Sequence, residues 1–154
     1  FVPKGDSVTQ AFLTSEPYFM ELENVPVESK LISDAGYDPY NVVLYVTKDY
    51  LAENEATVKA FTTAFIEGWN LYKDSYEEIN KLVQKDNPDI ELASLKFEAE
   101  AQEPFVYGMD AAENGVGFMT EQRWATLIEQ LHDLELLDEV FDAKDIFTTD
   151  YLVQ

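Results

Sequence analysis

Glu16 sits in the run Thr14-Ser15-Glu16-Pro17-Tyr18, and Ser33-Asp34-Ala35-Gly36-Tyr37-Asp38-Pro39-Tyr40 follows on a second irregular stretch. Carboxylates, hydroxyls and aromatic rings on short segments beside apolar runs are the material of a small-molecule cleft, with aromatic walls and a few placed polar groups. Glu16 could accept hydrogen bonds from an amino group or ring nitrogen of a ligand. As a first-turn acid it could equally complement a helix dipole. Tyr18, Tyr37 and Tyr40 could stack on a planar ligand or donate their hydroxyls. Ordinary packing with wet hydroxyls accounts for them as well. Ser33 and Asp34 fit ligand contacts and Asx or Ser turns equally well.

The other chemically capable residues point away from catalysis. Arg123 is the only arginine, and pairing with a nearby acid is its default role, ahead of clamping an anion. His132 is the only histidine and lies beyond an apolar stripe, as a solvated helix residue would. There is no cysteine, which excludes disulfides, thiolate zinc sites and a cysteine nucleophile. No glycine-rich phosphate loop supplies a nucleotide site, and no carboxylate pair stands out as a glycosidase pair among the abundant acids. Asp86, Asp89 and Glu91 surround Pro88 without the order of acids and glycine that a calcium loop needs. The sequence therefore assigns no catalytic residue, no metal site and no cofactor.

Composition narrows the partners. The 154 residues carry a formal net charge of -21. Such a surface repels phosphate backbones and anionic lipid surfaces, so neither nucleic acid nor a membrane is an expected partner. Solubility is the plain reading of the charge. The 46% apolar and 14% aromatic content is that of a folded chain with a core. No stretch reaches the roughly 18 to 20 apolar residues of a membrane helix. The opening Phe1-Val2-Pro3 reads as the end of an interior strand, with no signal peptide ahead of it.

These side chains need elements to hold them. Residues 8–13 read as a short strand or a strand-helix edge, Ser15 as the cap of a helix over 16–23 stopped by Pro26, and 28–32 as a weak strand. Ser33 to Pro39 is a loop. Val42-Val43-Leu44-Tyr45-Val46 is continuously apolar and β-branched, the pattern of a buried parallel strand. A helical turn over 48–52 precedes a helix capped by Asn54 that runs to about Lys73. Its stripe of Val58, Phe61, Phe65, Trp69 and Tyr72 faces the core. Further helices cover 75–85 and 91–100, separated by Pro88, and 104–114 is irregular. Thr120 caps a last helix that buries Trp124, Leu127, Ile128, Leu131 and Leu134. The tail from Val140 to Leu152 pins down Phe141, Ile146, Phe147, Tyr151 and Leu152. The expected class is α/β, helix-rich, with an incomplete sheet.

The order of these pieces resembles a known family. An apolar run leads into Ser15-Glu16-Pro17-Tyr18-Phe19, then Asp34-Ala35-Gly36-Tyr37-Asp38-Pro39-Tyr40 and the stretch 42–46. Lys48-Asp49-Tyr50, Glu53-Asn54-Glu55, Ala60-Phe61 and Gly68-Trp69 follow. Gly117-Phe118-Met119-Thr120, Arg123-Trp124, Leu136-Leu137 and Phe147-Thr148 complete the set. Together they resemble the C-terminal part of ABC-transporter solute-binding proteins of the thiamine-pyrimidine, aliphatic-sulfonate, taurine and nitrate type.

The resemblance implies a periplasmic-binding-protein type II fold, in which two α/β lobes close on a ligand from either side of a cleft. It implies that 1–36 end the second lobe, 37–47 cross the hinge, and 48–154 form the C-terminal helical part of the first lobe. The N-terminal lobe strands and the signal sequence are absent from this chain, so it is expected to bind only weakly by itself. The implied location is periplasmic or extracellular with membrane anchoring, and the implied partners are a small molecule and the permease subunits of the same importer. Glu16, Tyr18, Tyr37, Tyr40 and Ser33 are the implied ligand contacts. A carboxylate beside aromatic rings favours an aminopyrimidine or other nitrogen-containing ligand over sulfonate, taurine or nitrate. The alternative is a pyrimidine-processing enzyme on the same scaffold. The pyrimidine synthases among these relatives carry a cysteine-rich signature, and this chain has no cysteine.

Overall fold

The computed structural model describes residues 7–152. The expected strand end at Phe1-Val2-Pro3 lies outside them. Five α-helices and two 3-10 turns form the described residues, with no strand among them. Helix α1 spans Glu16–Leu22, α2 Lys48–Asp86, α3 Leu92–Val106, α4 Asp110–Asn114 and α5 Glu121–Asp133. The 3-10 turns are Ile32–Ala35 and Ala143–Asp145. The chain is helix-rich, and the strands expected over 8–13, 28–32 and 42–46 do not form. A strand needs a neighbour to take its amides and carbonyls, and no described residue offers one to these stretches. Residues 42–46 are exposed, with Val42 in a bend at 87% and Tyr45 at 89% exposure, where a buried strand was expected.

The chain divides into two compact units. The first joins the stretch up to Lys30 with Leu71–Gly108, and the second joins Leu31–Asn70 with the stretch from Met109 onward. The division falls within α2, between Asn70 and Leu71.

In the first unit, Ser15 is the N-cap of α1 but its side chain makes no cap bond. Glu16 does the local work, with its Oε2 accepting the Phe12 backbone N–H at 2.8 Å. The helix ends on Asn24 at φ +57°, where Val25 N–H bonds Met20 O and Asn24 N–H bonds Glu21 O. This left-handed C-terminal motif satisfies the last carbonyls two residues before Pro26. Leu95 and Ala99 of α3 are the buried apolar residues here, beside buried Asn80 and Ser94. Helix α3 carries Pro104 inside its last turns, so the helical path extends beyond the expected end at Glu100. A Cβ on Gly108 would overlap the Pro104 carbonyl, which accounts for glycine at that turn.

Helix α2 starts earlier than expected and does not break at Lys73. Thr47 caps it, its Oγ1 accepting the Tyr50 N–H at 3.2 Å. Asn54 lies inside the helix and donates from its amide to the Tyr50 carbonyl. Between Lys48 and Asp86 there is no proline and only Gly68, so nothing in the chain interrupts propagation. Its expected core stripe is only partly buried. Phe61 is 60% exposed, while Ile66, one residue off that stripe, is 6% exposed.

In the second unit, Thr120 caps α5 as its sequence predicts, accepting the Arg123 backbone N–H at 3.3 Å. Ile128 is 2% exposed, and α5 packs on the Ala143–Asp145 turn, whose Ala143 is also buried. Leu134, expected in the buried face, is exposed. The helix has already ended there, with Glu135 at φ +57° closing the same left-handed motif through Leu136 N–H to Leu131 O. Phe147 stacks on Trp124 with centroids 6.0 Å apart, whereas Phe141 and Ile146 remain exposed.

Candidate functional site

The second unit gathers its polar side chains around Tyr40. The Tyr40 hydroxyl donates to Asp110 Oδ2 at 2.6 Å and accepts the Thr120 backbone N–H at 2.8 Å. Asp110 opens α4 and Thr120 precedes α5, so one phenol joins the starts of two helices. Trp124 lies 5.8 Å from the Tyr40 ring, centroid to centroid.

Arg123 completes the cluster. Its Nε donates to the Asp38 carbonyl at 2.6 Å, and one terminal nitrogen donates to Asp38 Oδ1 at 2.8 Å. The same nitrogen reaches the Pro39 carbonyl at 3.4 Å, and the other lies 3.6 Å from Asp110 Oδ2. The guanidinium carbon sits 4.2 Å from the Tyr40 ring centroid. Arg123 thus pairs with acids, its default role, and only 20% of its side chain is exposed. Two carboxylates face one guanidinium, so the cluster carries a net negative charge when both are ionised.

A cavity of about 200 Å3 opens between the Gly36–Pro39 segment and the face of α5 that carries Arg123, Leu127 and Gln130. Gln130 Nε2 donates to the Gly36 carbonyl at 2.8 Å across it. Gly36 holds φ +91° as the cap of the Ile32–Ala35 turn, a conformation that glycine adopts at little cost. Ser33 lies within that turn, half-buried, and its carbonyl accepts the Gly36 N–H. Tyr37 is 39% exposed.

Glu16 and Tyr18 belong to the first unit. Glu16 is half-buried and held by Phe12 N–H. Tyr18 packs its ring against Phe19 at 5.3 Å and Phe97 at 5.5 Å. A wide, open hollow lies beside Pro17, Glu21 and Pro26, and neither Glu16 nor Tyr18 lines it. The structure therefore groups Ser33, Tyr37 and Tyr40 within the second unit and Glu16 with Tyr18 within the first.

The first unit has its own tyrosine group. Tyr72 donates to Asn80 Oδ1 at 2.9 Å, and Tyr76 donates to Glu100 Oε1 at 3.1 Å. Lys73 Nζ lies 5.0 Å from the Tyr107 ring centroid. Burial raises the Tyr72 phenol above its ordinary range, opposed by the Asn80 bond and reinforced by Glu98. Burial raises Tyr107 as well, with Tyr72 and Asp74 adding to it.

Sequence reasoning missed Asp38 and Asp110 as partners of Arg123 and Tyr40. Asp38 stands 85 positions from Arg123, and no local pattern marks pairs at that distance. Among the described residues, no group of three or more acids and histidines is placed to hold a metal ion. No helix of the described residues is long and apolar enough to cross a membrane.

No curated protein and no solved structure matches the chain. The family model described as NMT1/THI5 like matches residues 4–79, a stretch that includes α1, the Ile32–Ala35 turn, Tyr40 and most of α2. Over that stretch the chain is similar to the NMT1/THI5-like family, which supports its resemblance to the ABC-transporter solute-binding proteins of the thiamine, sulfonate and nitrate type.

Proposed function

We propose that the chain captures a small, planar, nitrogen-containing ligand of aminopyrimidine type for an ABC importer, outside the cytoplasm. The solute-binding role belongs to the family; the ligand class is our reading. The single observation that carries it is that the family match over residues 4–79 contains all five candidate ligand contacts. These fall in two groups, Glu16 with Tyr18, and Ser33 with Tyr37 and Tyr40. In the family's two-lobed fold, 1–36 would end the second lobe, 37–47 would cross between lobes, and 48–154 would supply the helical part of the first lobe. A carboxylate accepts from exocyclic amino groups, and the exposed Tyr37 ring is free to stack on a heterocycle. Arg123 supports the choice against sulfonate or nitrate, because its guanidinium is already committed to Asp38 and Asp110. The surplus of acids also lowers the local concentration of anions.

The test is a thermal-shift screen of the chain against the thiamine pyrimidine precursor, polyamines, taurine, alkanesulfonates and nitrate. The expected result is stabilisation by the pyrimidine, reduced in Glu16→Gln and Tyr37→Ala. Stabilisation by a sulfonate alone, unchanged in Glu16→Gln, would overturn the ligand class and leave the family assignment standing.

A further inference from the structure

Helix α5 carries Arg123, Leu127 and Gln130 at helical spacing, with Thr126 between them, so the four share one face. The Gly36–Pro39 segment lies along that face and is tied at both ends. Arg123 holds the Asp38 carbonyl and Oδ1 at one end, and Gln130 Nε2 holds the Gly36 carbonyl at the other. Between the two ties lies the cavity of about 200 Å3. Gly36 has no side chain to fill it, Tyr37 is not among its walls, and a Cβ placed on Gly36 would meet no atom within 4 Å. Both walls belong to the second unit.

The polar groups on these walls are unevenly used. Arg123 commits Nε and one terminal nitrogen to Asp38 and Pro39, and its other terminal nitrogen faces Asp110. The Thr126 hydroxyl donates to the Gln122 carbonyl. Asp38 Oδ2, by contrast, takes no hydrogen bond from any described residue. The Gln130 amide keeps its carbonyl and one of its two N–H groups. A carbonyl accepts only from an N–H, so the bond to Gly36 also fixes which end of that amide is the nitrogen.

We propose that this cavity is the subsite for the amino edge of the ligand, with Asp38 and Gln130 as its specificity-determining residues. The inference rests on the aminopyrimidine reading and names the groups that would enforce it. An amino group beside a ring nitrogen is a donor next to an acceptor, the edge that a side-chain amide meets bidentately. The Gln130 carbonyl accepts one amino hydrogen, and its free N–H donates to the ring nitrogen. Asp38 Oδ2 accepts the second amino hydrogen. Pro39 and Leu127 supply apolar contact for the ring. An oxo group in place of the amino group reverses the edge to an acceptor beside a ring N–H. Its oxygen then opposes Asp38 Oδ2, and the Gln130 amide can turn to meet it only by giving up the Gly36 carbonyl. The cavity is smaller than the roughly 300 Å3 at which sites for drug-sized ligands begin, which suits a single ring.

The experiment titrates the 154-residue chain with the thiamine pyrimidine precursor and with its oxo analogue, and reads amide shifts by nuclear magnetic resonance. The shifts give both the affinity and the place of binding. Expected are shifts at the Gly36 and Thr126 amides and the Gln130 side-chain amide, and a preference for the amino compound of about tenfold or more. Asp38→Asn keeps an oxygen for Arg123 and turns the free acceptor into a donor, so the preference should disappear. Thr126→Phe fills the cavity and should weaken the amino compound by about tenfold or more. Circular dichroism should show both variants as helical as the parent. Equal affinity for the two compounds, shifts confined to other amides, or a preference that survives Asp38→Asn would overturn the inference. Binding of the amino compound that is lost in Glu16→Gln but indifferent to Asp38→Asn and Thr126→Phe would overturn it and leave the aminopyrimidine reading standing. Binding of neither compound would overturn both.

Discussion

The Arg123 guanidinium carbon lies 4.2 Å from the centre of the Tyr40 ring, while its edge N–H groups hold the Asp38 carbonyl and carboxylate. The planar guanidinium serves a carbonyl, a carboxylate and an aromatic face at once, which an ammonium group does not do. Arg123→Lys should therefore destabilise the chain by about 1–3 kcal/mol in urea unfolding. Tyr40→Phe removes the bonds to Asp110 and Thr120 N–H and should cost about 1–2 kcal/mol. The double variant should cost less than the two single losses combined, because the residues share Asp110 as a partner. Strict additivity would show that the cluster does not act as a unit.

Burial separates two apolar residues that look equivalent in the sequence. Ile128 is 2% exposed and Phe61 60% exposed. Ile128→Ala should cost about 2–5 kcal/mol through lost transfer and cavity formation. Phe61→Ala should cost no more than about 1 kcal/mol, since most of its ring already meets water. Thermal or chemical denaturation of the two variants side by side decides the point.

The C-terminal motif of α5 places a glutamate where glycine is favoured. Glu135 holds φ +57°, a conformation that strains a residue with a Cβ. Glu135→Gly should raise stability by about 0.5–1 kcal/mol, helped by removal of a negative charge from the negative end of the helix dipole. Asn24→Gly at the matching position after α1 should gain less, because asparagine tolerates this conformation. An equal gain at both sites would remove the strain argument.

Tyr72 makes stability sensitive to alkaline pH. Its phenol is neutral when protonated, and burial raises its folded pKa above the 10.0 of an open chain. The stability it contributes is fully present below pH 10.0 and is lost as pH rises through the higher folded value. Denaturant titrations should show the loss beginning near the open-chain value. Absorbance titration should show the late-ionising tyrosine signal reduced by one residue in Tyr72→Phe, with that of Tyr107 remaining.

The sequence by itself determined the local events. Thr120 and its following residues specify the start of α5, and Pro17 with Glu16 specifies the start of α1, because capping depends on neighbours a few residues away. The order of segments also carried the family resemblance, which the match over residues 4–79 supports independently for that stretch. Helix α2 was misread as two helices and a turn because capping-type residues such as Asn54 occur inside helices too, and a side chain bonded back to the preceding turn is not visible in composition.

Tertiary structure decided what distance along the chain conceals. Val42 to Val46 has the composition of a buried strand, but a strand forms only where another backbone takes its hydrogen bonds, and propensity cannot supply that neighbour. Arg123 could have faced a ligand or an acid. Only the fold brings Asp38 from 85 positions away to 2.8 Å from its guanidinium. Once that pair has formed in a half-buried setting, separating it would leave charges poorly solvated, so the contact fixes the cluster around Tyr40.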